Sequence, residues 1–181
     1  MSMPEQLLAK RRVVGRADVT LDEHLHDTAR AARAILRRGT RLHDRWCSFF
    51  GVPASMRERF AETLEVACLL HDIGKANADF LAAVSGICGT QTVRHEHLSA
   101  LLLCLPEMRA WLASSSRVDV DVVTGAVLAH HFKAADDRSE RGWCQPRGAK
   151  NSVRLLMQHP EVKKVLRAVA DTARLPEPPA I

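Results

Sequence analysis

The stretch Leu69-Leu70-His71-Asp72-Ile73-Gly74-Lys75-Ala76 constrains the chain most, because an apolar helix must end there on a histidine beside an aspartate. Leu64, Ala67 and Cys68 lie seven, four and three residues before His71, so helical spacing puts His71 on the face they share. A helix that buries this face carries His71 inward, and Asp72 with it. Gly74 is expected to stop the helix in a left-handed conformation, which glycine enters without steric cost. A neutral imidazole beside an ionised carboxylate suits a divalent metal, and the carboxylate is able to bridge two ions. A core histidine with a capping aspartate is the alternative.

Around that stretch nearly every segment reads as helix, with no repeat and no alternating strand pattern. Thr20-x-x-Glu23 is a capping box opening a helix through Leu21, Leu25, Ala29, Ala32 and Leu36 that closes at Gly39. A short helix follows with Leu42, Trp46, Phe49 and Phe50, whose rings are read as core, and stops at Gly51-Val52-Pro53. Ser55-x-x-Glu58 reads as a second capping box, starting the helix that delivers His71. Asn77 caps a short helix through Phe80, and His95 begins an apolar one that Pro106 ends or restarts. Asp119 and Asp121 favour the first turn of a helix finishing at His130-His131. Residues 132–150 read as a polar loop, and Val153 to Leu175 as a last helical region with Pro160 at a first-turn position.

The expected fold is all-α, a compact single domain over residues 20–175. Residues 1–19 are an N-terminal segment, and the Pro-rich 176–181 are a tail or the start of a linker.

Composition excludes some functions. Hydrophobic residues at 46% and charged residues at 26% of 181 describe a globular chain rather than a disordered one. Tyr is absent and aromatics are 4%, which argues against a base-stacking platform. A net charge of +5 favours polyanionic partners only weakly. The five cysteines are scattered with no C-x-x-C pair, as in reduced cytosolic thiols. Lys10-Arg11-Arg12 has no apolar run behind it to make a signal peptide, and no apolar stretch is long enough for a bilayer. A soluble cytoplasmic protein with no membrane partner is expected.

Five of the nine histidines (His24, His71, His95, His130 and His131) fall at helix ends or on inner faces. Helices converging at their ends would place them in one pocket with Asp72. Such nitrogen-rich donors favour Mn, Fe, Co, Ni or Zn over Mg.

An early helical His24, His71-Asp72-Ile73-Gly74-Lys75, Arg94-His95-Glu96 and His130-His131, in that order, resemble the HD superfamily of metal-dependent phosphohydrolases. The runs His71 to Phe80, Arg94 to Ala100 and Ala129 to His131 resemble its CRISPR-associated branch, the HD nuclease domain of type I systems. The resemblance covers roughly residues 20–135. It implies a helical domain with one or two divalent transition-metal ions and metal-dependent cleavage of DNA, chiefly single-stranded, beside a helicase or effector complex. By that resemblance His24, His71 and Asp72 hold a first metal, with Asp72 bridging to a second held by His95, His130 and His131. Lys75 would contact the scissile phosphate or assist the leaving group, with Arg94 offsetting developing charge.

The family closes its first site with a late Asp, for which Asp171 is the candidate. Yet Asp171 falls with Lys164 and Arg167, opposite Val162, Val165, Leu166 and Val169, so a solvated aspartate is the alternative. Asp136 and Asp137 are weaker candidates. Ser99 either touches phosphate or bonds back to its own helix. Glu96 either orients a histidine or lies exposed. His97 points away from His95, and His26, His43 and His159 read as surface residues. The arginines between Arg138 and Arg154 would track a nucleic-acid backbone or lie solvated. Two other functions stay open: hydrolysis of nucleotides or cyclic dinucleotides, and a metal-poor module that docks a helicase or effector complex. No G-x-x-x-x-G-K-[ST] is present, so unwinding would belong to another chain or portion.

Overall fold

Thr20 and Glu23 form a complete capping box: the Glu23 amide donates to Thr20 Oγ1 at 3.3 Å, and the Thr20 amide donates to the Glu23 carboxylate at 3.2 Å. The computed structural model describes residues 4–10, 17–87, 91, 93–131 and 152–181. In chain order these form β1 (Leu8–Lys10), β2 (Val19–Thr20), α1 (Leu21–Ile35), α2 (Arg41–Phe49), α3 (Arg57–Leu70) and α4 (Ala78–Val84). Then come α5 (His95–Cys104), α6 (Pro106–Ala113), α7 (Val120–Ala129) and α8 (Pro160–Ala173). Single 3₁₀ turns, Ala54–Met56 and Ile73–Lys75, flank α3. The fold is all-α, apart from one small antiparallel pair with Leu8 opposite Thr20.

The central helix is α3, with α1, α7 and α8 packed around it. Its apolar residues cover more than one face, so Val66 and Leu70 are fully buried and Leu69 nearly so. α5 packs on α7 and on the Ile73–Lys75 turn, which brings the starts and ends of separate helices to one place. The N-terminal segment joins the same core. Leu7 is fully buried, its carbonyl accepts the Leu21 amide at 2.7 Å, and its amide donates to Glu161 Oε1 at 3.0 Å.

Several local expectations are corrected. Gly74 does not adopt a left-handed conformation; the positive-φ glycines among the described residues are Gly39, Gly51 and Gly86. α3 has already ended at Leu70, and Gly74 serves close approach instead. A Cβ there would lie 2.3 Å from the His95 carbonyl oxygen and 2.6 Å from the Ser99 amide nitrogen. Ser55 caps nothing: it lies inside a 3₁₀ turn, and Met56 precedes α3 without a side-chain cap.

On α2 the inward face is rotated from the one expected. His43 and Cys47 are buried, whereas Trp46, Phe49 and Phe50 are 42%, 83% and 58% exposed. A nine-residue helix meets the body along a narrow seam, and helical spacing finds two faces without saying which one meets it.

The last helix starts only at Pro160, because the residue before a proline is disfavoured in helical conformation. His159 is buried, accepts the Glu161 amide and lies 3.0 Å from the Pro4 carbonyl oxygen, so it is not a surface residue. Residues 154–156 instead run against the turn after Asp72. Leu155 pairs with Asn77, the Leu156 amide donates to Ala76 at 2.8 Å, and the Ala78 amide donates to Arg154 at 3.0 Å. The expected polar loop, with Asp136, Asp137 and the arginines 138, 141 and 147, lies outside the described residues.

Candidate metal centre

Each histidine of the centre is delivered by a helix or a helix end. His24 is in the second turn of α1, His71 and Asp72 directly follow α3, His95 opens α5, and His130 and His131 follow α7. Asp72 stands at the middle, with only 2% of its surface exposed. Its Oδ2 lies 2.9 Å from His24 Nε2, 3.2 Å from His71 Nε2 and 2.7 Å from Lys75 Nζ. Its Oδ1 lies 3.0 Å from His95 Nε2 and 3.2 Å from His130 Nε2. His131 Nε2 joins the second side at 3.0 Å from His95 Nε2. Two donor groups result, His24–His71–Asp72 and Asp72–His95–His130–His131, each with its ligand atoms within 4.8 Å of one another.

The arrangement fits divalent cations, and the reason lies in its hydrogen bonds. His71 Nδ1 donates to the Cys68 carbonyl at 2.7 Å, and His130 Nδ1 donates to the Val127 carbonyl at 2.6 Å. A neutral imidazole so engaged keeps a bare lone pair on Nε2. Those lone pairs face a carboxylate that is also an acceptor. Although Asp72 Oδ1 and His130 Nε2 are close and buried, neither has a hydrogen-bond partner of acceptable geometry. The 3.2 Å approach of His24 Nε2 to His71 Nε2, and the 3.0 Å approach of His131 to His95, likewise bring nitrogen donor atoms together. Acceptors converging in a buried place suit a shared cation, and backbone carbonyls fixing the far ring nitrogens hold such ligands in register.

Burial and neighbouring charges shift several groups of the centre. Burial pushes the Asp72 carboxyl up, but His130, His24, His71 and His95 around it more than offset this and hold it well below the usual carboxylate range. His131 lies below the ordinary imidazole value because of burial and the neighbouring His130 and His95. For His130, burial lowers the value, but Asp72 and the Val127 carbonyl outweigh that and leave it raised.

Residues around the donors have different standings. Lys75 is buried, its Nζ held by Asp72 and lying 5.4 Å from the Phe80 ring centre. Glu96 is buried rather than exposed: it is ion-paired with Arg94, and its Oε2 is 3.6 Å from His95 Nδ1. Ser99 is fully buried, bonding back to the His95 carbonyl while accepting the Gly74 amide. Asp171 is exposed on α8 and belongs to neither donor group. The apolar face of α8 is turned to the core, which turns Asp171 outward with Lys164 and Arg167.

Asn77 and Phe80 also belong to the site, although the sequence offered them only as a cap and a helix residue. Asn77 is buried, donates to the Gly74 carbonyl at 2.6 Å and accepts the Phe80 amide at 2.8 Å. Phe80 then lies edge-on to His95, with ring centres 5.7 Å apart. The signal that would have found them is the N-cap spacing of Asn77 directly behind the Asp72 turn.

Fold and site together define a helical domain of the HD class, in which one His-Asp pair joins two histidine groups. The chain belongs to the Cas3 HD-domain family, whose model (Cas3, HD domain) matches residues 9–180. It is also 32% identical, over 133 residues or 71% of its length, to a CRISPR-associated nuclease/helicase Cas3 of Myxococcus xanthus strain DK1622. The match takes in 17% of that protein, so the chain is similar to a small part of it. No solved structure matches the chain. Among the described residues no helix is long and apolar enough to cross a membrane.

Proposed function

We propose that this chain is a metal-dependent nuclease domain that hydrolyses phosphodiester bonds of single-stranded DNA in CRISPR type I interference, beside a cytoplasmic helicase or effector complex. The observation that carries the reading is the division of Asp72: one oxygen faces His24 and His71, the other His95 and His130. Membership of the Cas3 HD family supports the nuclease role.

In this reading His24, His71 and Asp72 hold one divalent ion, and Asp72, His95, His130 and His131 the other. The donor set suits Mn, Fe, Co or Ni better than Mg. Such ions lower the pKa of a bound water and polarise phosphoryl oxygens. The chain itself supplies orientation and charge. The Cys68 and Val127 carbonyls keep two imidazoles in the metal-binding tautomer. The Lys75 ammonium, anchored between Asp72 and Phe80, offsets negative charge developing on the phosphate or the leaving oxygen. Arg94, at the start of α5 and tied to Glu96, adds positive charge at the His95 edge.

The test is cleavage of a labelled single-stranded DNA circle by metal-stripped protein, with Mn, Co, Ni, Fe and Mg restored separately. A His71→Ala/Asp72→Ala variant runs in parallel. Transition-metal-dependent cutting that the variant lacks supports the reading, and a circle, having no ends, makes it endonucleolytic. Folded protein that cuts no polynucleotide but hydrolyses nucleotides or cyclic dinucleotides would replace the substrate. Folded protein that hydrolyses nothing would leave a docking module.

A further inference from the structure

Outside the metal centre, α2 presents a surface that none of the chemistry above uses. Trp46, Phe49 and Phe50 are exposed and touch one another: the Trp46 and Phe50 ring centres are 4.8 Å apart, and those of Phe49 and Phe50 4.9 Å. At helical spacing Leu42, Trp46 and Phe50 form one row, and Arg41, Arg45 and Phe49 form the row beside it. His43 and Cys47, on the face adjacent to the Trp46 row, fasten the helix to the body. Touching rings of this kind are what folding ordinarily hides, since burying even one of them is worth kilocalories.

The charges around the rings select an occupant. Asp44 is matched by Arg57 at 3.5 Å, and Glu58 by Arg38 at 3.0 Å. Arg37, Arg41 and Arg45 are exposed and have no acidic partner among the described residues. A second copy meeting this face about a two-fold axis would set the same unmatched arginines against each other, which disfavours self-association. Flat apolar rings beside unmatched guanidinium groups are what a single-stranded nucleic acid requires. Although the low aromatic content argues against a stacking platform, three of the few rings are gathered here in one exposed cluster.

We infer that Trp46, Phe49 and Phe50, with Arg41 and Arg45, form a single-strand binding platform separate from the metal centre. The inference rests on the nuclease reading for its relevance but not for its measurement. Phe60, whose ring centre is 6.4 Å from that of His43, precedes His71 by eleven residues, about 16 Å along α3. The platform therefore holds a strand at a distance from the reacting bond, and its loss acts on KM rather than kcat.

The experiment is a fluorescence-anisotropy titration of a labelled thymidine oligonucleotide in chelator, where nothing is cut. Wild type is compared with Trp46→Leu/Phe49→Leu, which keeps apolar area but removes the stacking faces, and with Arg41→Gln/Arg45→Gln. Every substituted position is exposed, so unfolding is not expected; circular dichroism checks it. The leucine variant is expected to bind at least about fivefold more weakly per stacked ring. The glutamine variant is expected to bind more weakly with a shallower salt dependence, its slope reduced by about 0.7 for each phosphate it no longer neutralises. Unchanged binding by the leucine variant overturns the platform and assigns the rings to an apolar protein contact. Weakening in the glutamine variant alone overturns it too, leaving plain electrostatic attraction. Wild-type cleavage of the circle with unchanged binding by the variants would overturn the platform while the nuclease reading stands.

Discussion

The Ser99 hydroxyl accepts the Gly74 amide at 2.9 Å and donates to the His95 carbonyl at 2.9 Å. One fully buried oxygen thereby ties the turn after Asp72 to the first turn of α5, and with it one donor group to the other. Ser99→Ala leaves the Gly74 amide without its partner and is expected to cost about 1–3 kcal/mol. Gly74→Ala drives a methyl into backbone atoms of His95 and Ser99, with an expected loss of about 1–3 kcal/mol or more. Urea unfolding of the metal-free proteins measures both. Wild-type stability in Gly74→Ala would mean that the turn and α5 are not held this closely.

Metal stoichiometry separates the two groups. Calorimetric titration with Mn is expected to give two sites in wild type and one in His24→Ala or in His131→Ala, because each histidine serves a single group. Asp171→Asn is expected to keep both sites, since Asp171 is exposed on α8. A missing site in Asp171→Asn would restore the late aspartate as a ligand.

Chelation should destabilise the folded chain. A ligand at a hundred times its Kd contributes about 2.7 kcal/mol, and for a chain of this size that corresponds to a fall in Tm of about 5–11 °C on removal. Differential scanning calorimetry with and without chelator reads it directly. An identical Tm in Mn and in chelator would show that the converging lone pairs do not hold a cation.

Without metal, Lys75 and Asp72 form a buried pair. Removing one member leaves the other uncompensated, so Asp72→Asn in chelator is expected to lose about 3 kcal/mol. Lys75→Met, which leaves Asp72 among four imidazoles, should lose less. The order of the two urea midpoints is the measurement, and a reversed order would place the Lys75 charge outside this pair.

Alkaline pH has a defined effect through Cys68. Burial first, and Glu65 second, push its thiol up to about 11 from an ordinary value of 9.0. The unfolded chain ionises earlier, so the stability contributed is fully present below about pH 9 and is lost as pH rises through about 11. Cys68→Ala is expected to flatten that arm of the stability profile. At neutral pH the exposed Cys104 should alkylate well before Cys68, as mass spectrometry after timed iodoacetamide treatment will show.

The legible part of the fold is the part set by neighbouring residues. The Thr20 capping box, the Asn77 cap and the helix starts at His95 and Pro106 appear in the structure where the sequence places them, and the helix expected to open at Asp119 and Asp121 does so with Asp119 as its cap. The Gly74 stop, the Ser55 cap and the start of the last helix depart from expectation. In each case a contact from elsewhere, a 3₁₀ turn or a proline intervenes, and spacing rules do not contain these.

By itself the sequence determined an all-α chain whose histidines stand at helix ends, because caps, breaks and periodicity act over three to four residues. Tertiary structure alone decided that His24 and Asp72, 48 positions apart, would meet, as would His95 and His131, 36 apart. It also decided that α2 would bury His43 and expose its rings, whereas the outward place of Asp171 was already legible in the helical pattern of its neighbours. The physical reason is common to the first three: a helix's pattern defines its faces, but the partner each face meets is set by how the whole core closes around α3.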